Sequence, residues 1–279
     1  MTRCRWDHRI DRAKELIPVH PFAAEGLRFY VHVTELQRGL HAEIQEALAQ
    51  STEPSALPSL RGDLDVFVLL PRFSRFLRVI GQGAPDPLAR VAATLAQKNS
   101  ADWRELLEQF WRHKTGLSVE AGSPASPDTT NPSEQLLAWI FLQPYAECLA
   151  SRAVAQMHGT FSRCPVCGAR PIVGVLRQEG DGAKKSLVCM LCAHEWTFRR
   201  VYCPSCGEER EPQMAFYSAP DIPHVRVDVC DTCRTYLKTV DLTKSGLAVP
   251  VVDDLATLPL DLWARQHGYG KLQINVLGI

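Results

Sequence analysis

Eight of the ten cysteines in this 279-residue chain stand in four Cys-x-x-Cys pairs packed into 70 residues: Cys164/Cys167, Cys189/Cys192, Cys203/Cys206 and Cys230/Cys233. The intervals between pairs are 21, 10 and 23 residues, so the run reads as two copies of one unit, pair–hairpin–pair. Two residues between cysteines let both thiolates turn onto one cation, and two such pairs supply a tetrahedral Cys4 site. A unit of about 40 residues cannot bury enough apolar surface to stay folded unaided. Structural metal binding contributes on the order of 10 kcal/mol, enough to hold such a hairpin together.

The spacing assigns Cys164, Cys167, Cys189 and Cys192 to one ion and Cys203, Cys206, Cys230 and Cys233 to the other. A cross-braced arrangement, first pair with third and second with fourth, would use the same eight ligands. Sulfur-only sites suit zinc and also a single iron of the rubredoxin type, so ligand chemistry leaves both open. Loss of Cys164 or Cys203 is expected to unfold its own ribbon and leave the remaining helices in place.

The rest of the chain frames these units. Residues 1–160 carry helical stripes: Leu36, Leu40, Ile44 and Leu48; then Leu64, Phe67, Val68, Phe73, Phe76, Leu77 and Ile80, interrupted by Pro71, which should kink or end that helix. Asp86 is expected to cap a helix with Pro87 in its first position, and Trp103, Leu106, Leu107, Phe110 and Trp111 form a further stripe before a C-cap at Gly116. Residues 116–130 have loop composition. Asn131 should cap the next helix, with Glu134 reaching back to it, Pro144 bending it and Gly159 ending it; Leu137, Ile140, Phe141, Tyr145, Cys148 and Leu149 would line one side.

Around the cysteines the texture becomes that of strands. Residues 171–177 alternate, Glu179-Gly180-Asp181-Gly182 is a turn, Met214–Tyr217 is a strand and Pro220-Asp221-Ile222-Pro223 a second turn. Asp253-Asp254 reads as the cap of one last helix bearing Leu258, Leu262 and Trp263, with Gly268 near its end. The expected fold class is α+β: a helical domain (1–160), two tandem rubredoxin-like or zinc-ribbon Cys4 units (161–200 and 201–245) and a C-terminal helical tail (246–279).

Charge and composition narrow the function. The formal net charge is +0. Across residues 160–244, 12 Lys+Arg face 10 Asp+Glu, and each divalent ion in four thiolates adds two negative charges. Phosphate binding needs a concentrated positive face, so a nucleic-acid role is not expected; Arg199-Arg200 reads as a solvated pair. No run approaches the roughly 20 apolar residues of a membrane span, and the N-terminus lacks a secretory signal, which points to a cytoplasmic protein without stable membrane insertion. Phosphate loop, nucleophile elbow and acid/base carboxylate pair are all missing, so no enzyme is expected. His194 reads as a neighbour of the metal site rather than a ligand, and Cys4 and Cys148 as buried small hydrophobes.

The residues around the cysteines resemble the FdhE family of formate dehydrogenase accessory proteins. The likeness is carried by Cys164-Pro-Val-Cys-Gly-Ala-Arg-Pro171, Cys189-Met-Leu-Cys-Ala-His-Glu-Trp196, Cys203-Pro-Ser-Cys206, Cys230-Asp-Thr-Cys-Arg-Thr-Tyr-Leu-Lys238, Asp253-Asp-Leu-Ala-Thr-Leu258, His267-Gly-Tyr269 and Ile274-Asn275, with Leu142-Gln-Pro-Tyr-Ala-Glu147 upstream. It is specific from about residue 140 to the end. The resemblance implies a non-catalytic cytoplasmic assembly factor that engages the catalytic subunit of formate dehydrogenase before export, with the eight cysteines holding two ions, iron being the family's association. A redox protein passing electrons to or from that partner is the alternative.

Overall fold

In the computed structural model, which describes residues 4–50, 60, 62, 64–113, 131–152 and 160–278, the expected stripes become α1 (Arg5–Leu16), α2 (Ala24–Gln50), α3 (Val66–Gly83), α4 (Asp86–Ala96), α5 (Ser100–His113) and α6 (Pro132–Ala150). Helix α3 continues past Pro71 rather than ending there. Its Asp65 caps the first turn by accepting from Val68 N at 3.1 Å. Phe67, read as a core residue, is 90% exposed, and Leu69 takes the inward position. The cap of α4 is Pro85, one residue before the one expected, with Asp86 inside the first turn. The expectations at Gly116, across 116–130 and at Gly159 lie outside the described residues.

Helix α6 is the centre of this half. Asn131 caps it, accepting from Ser133 N at 2.9 Å. Glu134 does not reach back; it accepts from Lys98 Nζ at 3.0 Å instead. The helix continues through Pro144 and stops at Ala150. Every residue from Leu137 to Leu149 except Gln143 is buried, so the helix is apolar all round rather than one-sided. Phe141 meets Phe73 and Phe76 at ring separations of 4.8 and 5.3 Å, and Tyr145 meets Trp111 at 5.6 Å.

The cysteine-rich half forms one sheet from β1 (Pro171–Glu179), β2 (Gly182–Cys189), β3 (Glu195–Thr197), β4 (Met214–Ala219), β5 (Ile222–Cys230), β6 (Thr235–Asp241) and β7 (Gly270–Lys271). Its order is β3-β2-β1-β6-β5-β4, with β7 on β6. Each unit contributes three strands in the same sequence across the sheet, so the second ribbon is a lateral copy of the first. The two join where β1 runs parallel to β6, Gly174 opposite Thr239. A side chain at Gly174 would run into the Thr239 hydroxyl. Strands β3 and β6 were not read from the sequence. Residues 171–176 of β1 are all buried rather than alternating, the pattern of a strand covered on both faces. Both hairpin turns hold two residues, Gly180-Asp181 and Pro220-Asp221; Ile222, expected in the second turn, already begins β5.

The tail contains two helices where one was expected, α7 (Pro250–Ala256) and α8 (Leu258–Gln266). Asp253 and Asp254 are not caps. They are buried inside α7, Asp253 paired with Arg12 of α1 at 2.6 Å and with His224 of β5 at 2.9 Å. After Gly268, which takes φ 77, the chain adds β7 to β6 and places Leu272 N on Tyr236 O. One continuous apolar cluster runs from Ala13 of α1 through α6 and the sheet to Val276.

Candidate metal centres

All four Cys-x-x-Cys pairs share one local geometry. In the first knuckle Cys164 O accepts from Gly168 N and Cys164 N donates to Ala169 O, both at 2.8 Å; Cys203, Gly207 and Glu208 repeat this at 3.0 and 2.8 Å. The residue after each second cysteine is left-handed: Gly168 (φ 83), Ala193 (φ 51), Gly207 (φ 79) and Arg234 (φ 54). Glycine adopts that conformation freely, whereas a Cβ costs about 1 kcal/mol. Ala193 and Arg234 are held there from outside. Arg5 donates to Ala193 O at 3.2 Å. The Arg234 guanidinium bonds Asp231 and the His267 carbonyl and lies 3.9 Å over the Tyr269 ring.

The knuckles close pairwise in chain order. Cys164 Sγ is 3.6 Å from Cys192 Sγ and Cys167 Sγ 3.3 Å from Cys189 Sγ. In the second unit Cys203–Cys233 and Cys206–Cys230 are both 3.7 Å. Within each foursome the sulfurs all lie within 4.8 Å, and the crossed arrangement does not occur. Four sulfurs about 2.3 Å from a central ion stand about 3.8 Å apart in a tetrahedron, so both foursomes have the dimensions of a Cys4 cage. Without a cation four thiolates at this distance cannot coexist. The Cys164 thiol is held low by hydrogen bonds from Cys167, Cys189 and Cys192, while Cys192 is driven up by its bonds to Cys164 and Cys167, and Cys189 chiefly by burial. A bound dication would replace this uneven sharing of protons with four thiolates.

The two centres sit in different surroundings. At the first, every cysteine is no more than 2% exposed, and helix α6 closes over it: Trp139 Nε1 and Gln143 Nε2 both donate to Met190 O, at 3.1 and 2.7 Å. A cleft of about 440 Å³ opens beside it, walled by Trp6, Arg38, His41, Glu147, His194 and the back of Cys192. At the second, Cys203 and Cys230 are buried, Cys233 half-buried and Cys206 exposed. Burial would push the Cys233 thiol up, but bonds from the Thr235 hydroxyl at 2.9 Å and from Cys206 bring it down to about 7.

Thr235, Arg234, Trp139 and Gln143 support the foursomes; three of them lie within the motifs that carry the family resemblance, but only folding gives them a role near sulfur. His194 is half-buried, its ring parallel to Trp196 at 6.4 Å, and belongs to neither foursome. Cys148 is buried as expected, whereas Cys4 is exposed and bonds Asp7 at 3.0 Å. Arg199 pairs with Glu209 at 2.8 Å, and exposed Arg200 donates to Ala183 O.

Known proteins are similar to this chain in sequence and in fold. Residues 163–200 match the family model described as the FdhE central domain, and residues 201–277 match the FdhE C-terminal domain. An FdhE homolog from Pectobacterium atrosepticum is 30% identical over 280 residues, covering 97% of this chain and 86% of that protein. The chain belongs to the FdhE family. The FdhE protein of Escherichia coli O139:H28 is 28% identical over 289 residues, with 97% and 86% covered. The match to the FdhE homolog of Aquifex aeolicus, 32% identical over 141 residues, spans half of each chain. The crystal structure of the FdhE protein from Pseudomonas aeruginosa shares the fold at TM-score 0.69 over 99% of this chain and 97% of that one, with 21% identity. Among the described residues no helix is long and apolar enough to cross a membrane.

Proposed function

We propose that this FdhE-family chain is a non-catalytic cytoplasmic factor that binds the catalytic subunit of formate dehydrogenase and assists its assembly before export, with a metal ion in each Cys4 centre and no role for nucleic acid. The observation that carries the reading is the pair of four-sulfur clusters built into one sheet and joined to a helical half, in a chain of this family. The cages supply folding energy to ribbons too small to stand alone. Zinc and a single iron take the same cage, and metal analysis after anaerobic purification distinguishes them. Affinity capture of the full-length chain from cells expressing formate dehydrogenase is the direct test. Enrichment of the catalytic subunit supports the reading, and recovery of the bait alone overturns it.

The exposure of Cys206 favours one second reading, electron transfer to or from the same partner, because a solvent-accessible sulfur offers a short path to an iron ion. It requires a visible thiolate–iron spectrum and a reversible redox wave. Colourless protein with two zinc ions ends it.

A further inference from the structure

We propose that the two centres divide their work: the first is a closed staple, and the second is an exchange site that opens at Cys206 to an incoming thiolate. The inference rests on the proposed occupancy of both cages and goes beyond it. Ligand exchange at a Cys4 ion is associative, so its rate follows the access of an incoming soft donor to the ion and its sulfurs.

At the first centre the sulfurs themselves are covered. Its four cysteines are 1–2% exposed. Met190, within the second knuckle, is itself buried and fixed by Trp139 and Gln143, and Arg5 holds Ala193 O. Although the neighbouring cleft includes Cys192 in its wall, that cysteine is only 1% exposed.

The second centre lacks this cover. Asp231, at the position equivalent to Met190, is half-buried; its side chain is bonded from the tail and its own knuckle, by Tyr269 at 2.6 Å and Arg234 at 2.7 Å, and its backbone N donates to Gln213 O at 2.9 Å. The ribbon around it ends in β4, none of whose residues is buried. Within the foursome the restraint is unequal. Cys203 and Cys230 are buried, and Cys233 is tied to the Thr235 hydroxyl, leaving Cys206 as the exposed ligand and the one to depart. In the exchange the incoming thiolate forms a sulfur–metal bond, the Cys206–metal bond breaks, and Cys206 leaves as a thiolate that takes a proton from water. No electrons move.

The test uses the full-length chain loaded with zinc and a colorimetric zinc chelator in excess, with glutathione as the incoming thiol and, in a second arm, a thiol-terminated polyethylene glycol that stands for a thiol carried on a macromolecule. Two ions per chain, released in two phases at least tenfold apart, with glutathione accelerating only the fast one, is the expected result. Acceleration by the polymer thiol as well assigns the site to protein-borne thiols, and by glutathione alone to small ones. Fewer than two ions at saturation overturns the occupancy beneath the inference. Two ions leaving in one phase overturns the inference alone. Cys206→Ser should remove the fast phase and keep the slow one. Because that variant can fail to fold, iodoacetamide labelling of the wild-type zinc protein gives an independent reading: Cys206 should be alkylated at least tenfold faster than Cys164, Cys167, Cys189 or Cys192. Equal labelling across both centres refutes the proposal.

Discussion

Lys238 Nζ on β6 lies 2.6 Å from the Asp261 carboxylate on α8, and neither side chain has any exposed surface. Lys271 and Asp254 complete the cluster, with Lys271 3.0 Å from both carboxylates and Lys238 3.2 Å from Asp254. Tyr236 donates to Asp261 at 2.8 Å and Asn275 to Asp254 at 3.0 Å. Two cations and two anions balance inside the core, and the tail is thereby bolted to the strand that leaves the second cysteine foursome. Breaking a buried pair on one side costs about 3–5 kcal/mol, whereas replacing both partners with apolar groups costs far less. Lys238→Met is expected to lose stability in that range, and Lys238→Met with Asp261→Leu to recover a good part of it. Urea unfolding of the four proteins of this cycle decides the matter; additive losses would count against the pair acting as a unit.

The joint between the ribbons depends on the missing side chain of Gly174. Gly174→Ala would press a methyl group into Thr239, whose hydroxyl donates to buried Asp228 at 2.8 Å, which in turn holds Lys185 at 2.6 Å. Overpacking of this kind costs about 1–3 kcal/mol. Removing the obstacle with Thr239→Ala in the same chain should return part of that loss, less the hydrogen bond to Asp228. Thermal melts of both variants provide the check.

Acid should weaken the contact between α1 and the tail. Burial pushes the Asp253 carboxyl up, but the His224 bond and the Arg12 guanidinium outweigh it and hold it below the usual carboxylate value. A carboxylate lowered on folding contributes stability that is fully present above its unfolded pKa of about 3.9 and is lost as pH falls through the lower folded value. Asp253→Asn should be less stable than wild type near neutrality by about 2 kcal/mol or more. The gap should narrow below about pH 4, read as unfolding free energy against pH. A gap that stays constant to pH 2 would rule out this linkage.

The centres should differ in how far their loss spreads. The sequence alone suggests that either ribbon unfolds without disturbing the helices. Trp139 and Gln143 change this for the first centre, since both side chains of the central helix are bonded to the knuckle carbonyl of Met190. Cys164→Ala is therefore expected to lower the melting temperature of the helical circular dichroism signal and shift the Trp139 emission. Cys203→Ala should leave both near their original values. Equal effects from the two substitutions would contradict the arrangement.

What could be read in advance followed distance along the chain. The stripe on α2, the Asn131 cap, the turn at Gly180-Asp181 and the membership of each sulfur foursome all depend on residues near one another in sequence. Misreadings arose where distant segments intervene. Phe67 fits a helical stripe yet faces outward because α6 packs on the side bearing Leu69 and Phe73. Asp253 and Asp254 have the composition of a cap, but they are drawn inward by Arg12, Lys238 and Lys271, whose proximity no local pattern encodes. Strand β6 lacks alternation because residues 236–240 are all buried, with Lys238 turned to Asp254 and Asp261 of the tail.

The spacing of the four cysteine pairs by itself determined that this chain carries two Cys4 foursomes, because two intervening residues and a hairpin return are local geometry. Only the tertiary structure decided that the second ribbon lies beside the first in one sheet, that α6 seals one centre, and that Cys206 leaves the other open. Those outcomes rest on which surfaces bury each other across more than 100 residues of chain, and spacing within a motif carries no information about what will come to cover it.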